Sequence, residues 1–194
     1  MLSDLRLIGW LWSGWGLYWL LSALRNKATQ RRESPASQLA HLLPLALGGA
    51  LIAWPAGSAL GWRLWPPSLT AYGIGVALVI AGLLFASWAR VHLGSNWSGT
   101  VTIKQGHELI RSGPYAYVRH PIYTGLLAAL LGTTVASGTV HAAIGLAIIA
   151  VALVRKSRIE ESFMREIFPD NYQRYSAEVP ALIPFTRPTH SPAR

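Results

Sequence analysis

The sequence contains no cysteine and few charged residues, and both absences restrict what the protein can be. Of its 194 residues only 13% are charged, while 52% are hydrophobic. A chain without cysteine has no disulfide, no thiolate metal ligand and no cysteine nucleophile. So apolar a composition excludes an ordinary soluble domain, and the length suits one domain embedded in a membrane. We therefore treat residues 1–194 as a single domain.

Acidic residues are especially scarce. Eight Asp and Glu residues stand against seventeen Lys and Arg, which gives a formal net charge of +9. Such a charge is typical of nucleic-acid binding, but here the basic residues occupy loops between apolar runs rather than one amphipathic face. We predict no nucleic-acid partner and expect the basic residues to contact anionic lipid headgroups.

Five apolar runs are candidates for transmembrane helices, since about 20 apolar residues cross the hydrocarbon core. They lie at residues 5–24, 38–55, 68–89, 122–137 and 140–154. The last two are short and flank Ser137-Gly138-Thr139, which predicts a helical hairpin. The predicted fold class is an all-α integral membrane protein with about five transmembrane helices, three in residues 1–89 and two in residues 90–194.

The basic residues predict how these helices are oriented. With five spans, loop 25–37, segment 90–121 and the tail from residue 155 lie on one side of the bilayer and hold fifteen of the seventeen basic residues. Positive charge accumulates on the cytoplasmic side. We therefore predict that the N-terminus is outside and that the C-terminus and both polar segments are cytoplasmic.

Tryptophan and glycine occur at informative positions within the spans. Gly73, Gly75 and Gly82 form a small-residue face, which predicts the close approach of another helix. Pro44 lies inside the second span and predicts a kink unless neighbouring groups relieve it. We assign seven tryptophans to lipid anchoring in an aromatic belt: Trp10, Trp12, Trp15, Trp19, Trp54, Trp62 and Trp65.

Segment 90–121 is the first of two polar segments in which chemistry is expected. Apolar residues scattered through it predict an ordered cap rather than a disordered loop. It ends at Arg119-His120-Pro121, where Pro121 predicts the first residue of a helix and His120 an extended residue before it. The N-terminus of this helix could bind a ligand carboxylate. Alternatively, Arg119 contacts lipid headgroups and His120 caps the helix.

The second polar segment follows the last span. Its apolar residues Ile159, Phe163, Ile167 and Phe168 predict an amphipathic helix lying on the membrane surface. Glu160 and Glu161 have two interpretations, a solvated face with i,i+4 partners such as Arg165, or a functional pair. No two histidines have the spacing that places metal ligands on one helix face, so we predict no metal site.

Three ordered motifs resemble the isoprenylcysteine carboxyl methyltransferase family. They are LGSNWS at 93–98, GHELIRSGPYAYVRHPIYTG at 106–125, and RIEESF at 158–163 followed by FPDNYQRYSAEVPALIP at 168–184. The resemblance covers about the C-terminal half of the chain. It implies a multi-helix membrane enzyme whose cofactor, S-adenosylmethionine, binds beneath the cytoplasmic connector and the C-terminal helix, so that residues 90–194 form the catalytic half.

The resemblance also implies which residues bind the cofactor. Among them, Tyr115 could stack on adenine or face the sulfonium, and His120 suits the methionine carboxylate. The full set is His107, Glu108, Leu109, Ile110, Tyr115, His120, Pro121, Ile122 and Tyr123.

On the substrate side, the resemblance points to the catalytic residues Glu160, Lys156 and Arg158. Glu160 is expected near the substrate and the cationic end of the cofactor. The basic residue of the family falls on Lys156, and lysine lacks the planar fork with which arginine binds a carboxylate. Arg158 or Arg155 could therefore take its place, and the sequence does not choose among them.

The function implied is methyl transfer from S-adenosylmethionine to a lipophilic acceptor, most directly the carboxylate of an isoprenylcysteine-like or prenylated substrate. Three alternatives remain. The acceptor could be the amine of a phospholipid, which would require a base. The chain could also be a non-catalytic lipid-binding scaffold, or a sterol-type reductase that uses a nicotinamide cofactor. Membrane lipids are expected partners in every case.

Overall fold

A computed structural model describes residues 5–23, 29–32, 34–55, 62–94, 102–104 and 109–186. Helices dominate this part of the chain, and one short two-stranded ribbon is added to them. In chain order the elements are α1 (Arg6–Ala23), β1 (Thr29–Arg32), α2 (Pro35–Ala53), α3 (Leu69–Leu93), β2 (Thr102–Lys104), a 3₁₀ turn (Gly113–Ala116), α4 (Pro121–Ser137), α5 (Val140–Ile167) and α6 (Pro169–Glu178). The predicted all-α membrane fold is confirmed.

The apolar runs and the helices coincide closely, and the protein is an integral membrane protein. By length and composition, α2, α3 and α5 are able to cross a membrane, while α4 is apolar but has only 17 residues. Helix α1 has 18 residues and begins at Arg6. The count of five spans therefore stays a prediction.

Glycines bring α3 and α4 into close contact. A Cβ atom on Gly125 or Gly132 would lie 2.5 Å from the carbonyl oxygen of Gly82 or Gly75, respectively. Only hydrogen side chains allow two helix backbones to approach so closely. The predicted small-residue face is thus confirmed for Gly75 and Gly82, whereas Gly73 has no atom within 4 Å of its Cβ position.

Helices α2 and α5 pack in the same way. A Cβ atom on Gly145 would lie 2.5 Å from the carbonyl oxygen of Gly48. Helix α2 continues from Pro35 to Ala53 with Pro44 inside it, so the proline does not end the helix. The bundle therefore contains two glycine-packed pairs, α3 with α4 and α2 with α5.

Tryptophan hydrogen bonds attach α1 to the α3–α4 pair. Trp12 Nε1 donates to the Thr133 hydroxyl and Trp15 Nε1 to the Ser87 hydroxyl, each at 3.0 Å. Trp65 Nε1 donates to a backbone carbonyl of α4 at 3.2 Å. Lipid anchoring was the wrong interpretation for these three residues, because their indole groups bind the protein itself.

Two other tryptophans behave as predicted for an aromatic belt. Trp10 is 75% exposed and Trp62 is 77% exposed. Both side chains point away from the protein, as residues in contact with lipid do. The sequence alone does not separate Trp10 from Trp12 and Trp15, because all three lie in the same apolar run.

The predicted hairpin between α4 and α5 is confirmed. Helix α4 ends at Ser137, and Gly138 takes the left-handed conformation with φ 62° before Thr139 begins the next helix. The loop that precedes α3 pairs with this turn, since Leu64 N–H donates to the Gly138 carbonyl at 2.8 Å. Arg63 donates to the Ser137 carbonyl at 3.1 Å. The hairpin end of the bundle is therefore fixed by backbone hydrogen bonds.

At the other end, the last span and the amphipathic segment form one helix. Helix α5 runs without a break over 28 residues and ends before Phe168. We had predicted a span at 140–154 followed by a separate helix on the membrane surface. Instead, the chain turns at Phe168-Pro169 into α6, whose Tyr172 and Tyr175 are buried. The ribbon of β1 and β2 is antiparallel, and β2 contacts α5.

Candidate active site

Charged side chains meet where α4 begins and α5 approaches its end. Arg119 and His120 directly precede α4, and Glu160 and Glu161 lie on α5. His120 Nδ1 is 3.4 Å from Glu160 Oε2, and His120 Nε2 is 3.2 Å from Glu161 Oε1. One imidazole thus contacts two adjacent carboxylates. We call these four residues, together with Tyr123 and Lys156, the charged cluster.

The two carboxylates determine the charge state of His120. Its side chain is only 10% exposed. Burial lowers the pKa of His120, because an imidazolium is poorly solvated there. The hydrogen bonds and negative charges of Glu160 and Glu161 outweigh burial and raise the pKa of His120 above its ordinary value. The cluster therefore holds a proton on His120 more firmly than a free histidine would.

Glu160 has further partners on α4 and α5. The Tyr123 hydroxyl donates to Glu160 Oε1 at 2.5 Å. The Tyr123 ring lies parallel to His120, with 5.6 Å between ring centroids and 4° between planes. Lys156 Nζ is 5.6 Å from the centroid of the Tyr123 ring. Lys156 precedes Glu160 by one helical turn, so both lie on the face of α5 toward α4.

Glu161 is bound from both sides by arginine. Arg119 donates from Nε and Nη2 to Glu161 Oε1 at 2.9 and 2.7 Å, and Arg165 donates to Oε2 at 3.0 Å. The side chains of Arg119 and Glu161 are 2% and 7% exposed. The predicted i,i+4 pair with Arg165 is present, but Glu161 is not on a solvated face. Arg119 does not contact headgroups either, because its guanidinium is buried in this ion pair.

The chain after α6 crosses the start of α4 as a strap, residues 179–182. Backbone N–H groups of Arg119 and His120 donate to the strap carbonyls of Pro180 and Ala181 at 2.9 and 3.0 Å. The Arg119 guanidinium also donates to backbone carbonyls near the end of α6. The side chain of His120 makes no capping bond. The strap therefore covers the N-terminal end of α4, and the backbone N–H groups of Arg119 and His120 already have hydrogen-bond acceptors.

An apolar cluster adjoins the charged cluster. Ala89, Tyr115 and Ile122 form its buried part. Five partly buried side chains pack against them: Trp19, Leu93, Ile110, Tyr123 and Leu126. We call these eight residues the aromatic cluster. Because Tyr123 belongs to both clusters, the apolar and charged surfaces are continuous.

The aromatic cluster brings together four residues that the motifs predicted for the cofactor: Ile110, Tyr115, Ile122 and Tyr123. Of the other predicted residues, Pro121 is buried as the first residue of α4, and Leu109 is half-buried nearby in sequence. His107 and Glu108 lie outside the described residues. Their predicted roles have no structural counterpart in the part of the chain that is described.

Tyr115 is fixed by contacts on several sides. His92 stacks on it with 6.5 Å between centroids and 24° between planes. Gly113 has φ 59°, and a Cβ there would lie 2.8 Å from the His92 ring, so only glycine fits this turn. Tyr175 donates from its hydroxyl to the Tyr115 carbonyl at 2.6 Å. Burial and the nearby Glu160 raise the pKa of Tyr115, so its phenol stays neutral.

Sequence reasoning missed Arg90 and wrongly assigned Trp19 to lipid anchoring, whereas Trp19 packs in the aromatic cluster. Arg90 is 4% exposed and donates to the carbonyls of Ser22 at 2.6 Å and Gly94 at 2.7 Å, near the ends of α1 and α3. Its guanidinium carbon lies 6.0 Å from the centroid of a Trp19 ring. One arginine thus ties α1 to the aromatic cluster. Its only signal in the sequence is a basic residue in the last turn of a helix, where it suits the helix dipole.

Arg158 lies away from the charged cluster. Residues advance by about 100° around a helix, so Arg158 is about 200° from both Lys156 and Glu160. It is exposed, whereas Lys156 is buried. Arg155 also points elsewhere, since it donates to the carbonyl and hydroxyl of Ser37 at 3.3 and 3.4 Å. Of the three candidate basic residues, only Lys156 lies beside Glu160.

The site can bind a ligand that has both a flat apolar part and charged groups. Aromatic rings line one part, and ionised side chains line the other. Within the described residues, no three His, Asp or Glu side chains are arranged to hold a metal ion. The carboxylate, imidazole and ammonium groups are therefore available for electrostatic contacts and hydrogen bonds to an organic ligand.

Comparison with known proteins agrees with the sequence motifs. Residues 75–166 match the model of the isoprenylcysteine carboxyl methyltransferase (ICMT) family. The matched segment is just under half of the chain. Every member of the charged cluster, from Arg119 to Glu161, lies inside the matched ICMT segment. The predicted resemblance is thus confirmed, whereas Trp19 comes from outside the matched segment.

Several relatives are curated as protein-S-isoprenylcysteine O-methyltransferases. That of Schizosaccharomyces pombe is 32% identical over 106 residues, which cover 53% of this chain and 45% of that protein. Protein B of Arabidopsis thaliana is 27% identical over 57% of this chain and 58% of its own. The human protein is 28% identical over 70% of this chain and 46% of its own. The chain spans about half the length of these ICMT relatives.

The fold has a counterpart among solved structures. The structure of the eukaryotic intramembrane Ras methyltransferase ICMT matches with a TM-score of 0.54 and 24% sequence identity. The match covers 80% of this chain and 54% of that chain. At this identity the match shows a likeness of fold, the helical arrangement of ICMT, over most of the chain.

Proposed function

We propose that this chain is a membrane-embedded methyltransferase that uses S-adenosylmethionine to methylate the carboxylate of a lipophilic, isoprenylcysteine-like acceptor. One observation carries the proposal: the aromatic and charged clusters share Tyr123, and all their members except Trp19 lie within the segment that matches the ICMT family. The curated relatives bear this activity in their names, and a prenylated protein or small molecule is the corresponding acceptor. The whole chain, residues 1–194, acts as one domain.

The residues present suit S-adenosylmethionine in two respects. The aromatic cluster offers the rings of Tyr115 and Tyr123 to a flat adenine or to a cation, where a cation near a ring gains roughly 0.5–2 kcal/mol. Glu160 offers a half-buried carboxylate, 25% exposed, to a positive group. When bound, the cofactor supplies a methyl group made electrophilic by its sulfonium. Ile110, Ile122 and the segment 107–109 complete the proposed cofactor contacts, with His120 and Pro121 at their edge.

The charged cluster favours a carboxylate acceptor over an amine. A carboxylate attacks a methyl group without losing a proton, whereas an ammonium must first give one to a base. Glu160 and Glu161 raise the pKa of His120, so its imidazole holds a proton to higher pH than a free histidine does and is less suited to accept one from an ammonium. Glu160 already accepts from Tyr123. Lys156 lies one helical turn before Glu160 and 5.6 Å from the Tyr123 ring, and we assign it to the acceptor carboxylate as a point charge.

The membrane supplies the acceptor and excludes water. The site is built where two apolar helices, α4 and α5, meet their polar extensions, so a lipophilic acceptor reaches it from the bilayer. Removing water from both reactants strengthens every electrostatic contact inside the site. The concentration of basic residues in the flanking segments supports a cytoplasmic site and C-terminus, with the N-terminus outside.

Titration of the purified protein with S-adenosylmethionine by calorimetry tests the cofactor site. We expect saturable binding by the wild type and a loss of at least tenfold in affinity for Tyr115→Ala. Tyr117→Ala is the matched control, because Tyr117 is 51% exposed and only two residues away. Failure of folded wild type to bind would overturn the proposal and favour a lipid-binding scaffold. Oxidation of a nicotinamide cofactor would favour the reductase alternative.

Methyl transfer to defined acceptors tests the substrate class. N-acetyl-farnesylcysteine presents a prenyl group and a carboxylate, while phosphatidylethanolamine presents an amine. We expect turnover of the first and none of the second. Lys156→Gln should raise KM for the carboxylate more than it lowers kcat, if Lys156 binds the acceptor. Preferential methylation of phosphatidylethanolamine would replace the carboxylate assignment with an N-methyltransferase.

A further inference from the structure

A groove on the outward face of α5 lies apart from the charged cluster. It has a volume of about 520 Å³, within the range of about 300–1,000 Å³ typical of small-ligand sites. Its described lining includes Ala150, Val151, Val154, Arg155, Arg158 and Ile159. Most of these side chains occupy the side of the helix opposite to the buried Lys156 and the half-buried Glu160. The groove therefore faces away from the site where methyl transfer is proposed.

The groove has an apolar part and a basic part along the helix axis. Ala150, Val151 and Val154 line the part that lies within the apolar span. Arg155 and Arg158 line the part nearer the end of the helix. With a rise of 1.5 Å per residue, Val151 and Arg158 are about 10 Å apart along α5. An occupant therefore needs an apolar chain that ends in an anionic group.

The basic part of the groove lies at the level where α2 begins. Arg155 donates to Ser37, which is in the first turn of α2. The positive end of the α2 dipole is at the same place and favours an anion. Among the ion pairs of the described residues, none joins Arg155 or Arg158 to a carboxylate. Their positive charge is therefore not neutralised by the described part of the protein.

We propose that this groove binds one anionic phospholipid, with an acyl chain along Val151 and Val154 and its phosphate between Arg155 and Arg158. The planar guanidinium fork matches phosphate oxygens in a bidentate manner, and two such forks fit one headgroup. A zwitterionic lipid fits less well, because its own cation competes with the arginines. The acceptor of the proposed reaction does not belong here, since its carboxylate must reach the opposite face of α5.

Native mass spectrometry of the protein in detergent tests this site, with phosphatidylglycerol and phosphatidylcholine added separately. We expect one phosphatidylglycerol to be retained saturably by the wild type, and phosphatidylcholine to bind at least tenfold more weakly. Arg155→Gln and Arg158→Gln should each weaken phosphatidylglycerol binding about fivefold, as expected for one basic residue near a lipid surface. Arg174→Gln is the control, because Arg174 is exposed on α6 and bonds only locally to Asn171.

A second variant separates a shaped site from general attraction to the membrane. Ala150→Trp fills the apolar part of the groove and leaves both arginines in place. We expect it to remove the retained phosphatidylglycerol while the protein keeps its thermal melting temperature. Unchanged lipid retention in Ala150→Trp, or equal losses in Arg158→Gln and Arg174→Gln, would overturn the proposal. Displacement of the lipid by N-acetyl-farnesylcysteine would also overturn it and assign the groove to the acceptor.

Discussion

Helix α4 meets α3 and α5 by different physical means. Toward α3 it presents Gly125 and Gly132, and the two backbones touch where side chains are absent. Toward α5 it presents the charged cluster at its first turn, where Glu160 and Glu161 are surrounded by cations and hydrogen-bond donors. The first contact depends on shape and the second on charge.

This difference teaches which perturbations each side of α4 will tolerate. Close backbone contact stabilises through dispersion along the whole α3–α4 interface, so it is sensitive to added volume and indifferent to protonation. Buried ions are poorly solvated, so each one depends on its partner. The side that faces α5 should therefore respond to pH and to loss of a single charge, and the side that faces α3 should respond to size alone.

Removal of Glu161 from its buried ion pair with Arg119 should have the largest effect on the free energy of unfolding. Glu161→Gln leaves the Arg119 guanidinium buried without its counter-charge, and such losses cost about 3–5 kcal/mol. Equilibrium unfolding in mixed detergent micelles measures it. Glu178→Gln is the matched control, because Glu178 pairs with Arg111 at 2.7 Å on the surface, where a pair is worth about 1 kcal/mol or less. Equal losses in the two variants would contradict a buried, mutually dependent pair.

Added volume on the α3 side should have the next largest effect. Gly82→Val places side-chain atoms against the backbone of α4 at Gly125, and overpacking of this kind costs about 1–3 kcal/mol. Gly73→Val on the same helix is the control, because its Cβ meets nothing within 4 Å. Both changes carry the same helix-propensity cost, so the difference in unfolding free energy isolates the contact. Equal destabilisation would show that the close approach does not stabilise the pair.

The melting temperature should fall as pH rises, and the contacts between α4 and α5, not those between α4 and α3, should cause this fall. The pKa of His120 is raised in the folded protein by Glu160 and Glu161. A raised pKa contributes stability that is complete below the unfolded value of about 6.5 and is lost as pH rises through the folded value. We expect the melting temperature to decrease above about pH 6.5 and His120→Gln to flatten this slope. His92→Gln is the control, and an equally flattened slope there would assign the titration elsewhere.

Loss of the hydrogen bond from Trp12 to Thr133 should have the smallest effect on the free energy of unfolding. Trp12→Phe keeps an aromatic ring but removes the donor to Thr133, and interhelical hydrogen bonds in membranes contribute about 0.6 kcal/mol on average. The lipid-exposed Trp10→Phe is the control. A double-mutant cycle with Thr133→Val measures the coupling energy between the two side chains. A coupling energy of zero would mean that the Trp12–Thr133 hydrogen bond does not contribute to holding α1.

The positions and ends of the helices could largely be predicted from the sequence. Apolar runs located the spans because helices in a bilayer must satisfy their backbone groups internally and bury apolar side chains. Pro121 begins α4 and Gly138 follows it, as the conformational restrictions of proline and the freedom of glycine require. These features depend on residues close together in the chain, which the sequence displays directly.

The residues of the candidate site were predicted better than the contacts between them. Tyr115, Ile122 and Tyr123 were identified by resemblance, and the structure joins them in one cluster. Arg158 was a candidate to take the place of Lys156 near Glu160, but two residues of spacing put Arg158 and Glu160 on opposite faces of α5. The lesson is that adjacency along a helix indicates proximity only at spacings of three or four residues.

What the sequence by itself determined is the class of the protein, its helices and, by family resemblance, the residues around which a site is built. Hydropathy, proline and glycine act locally, so their effects are visible without coordinates. Only the tertiary structure decided that Arg119 binds Glu161, that Trp12 and Trp15 face protein rather than lipid, and that the strap covers the start of α4. Those contacts join residues far apart in the chain, and their stability depends on burial, which arises only when the helices pack.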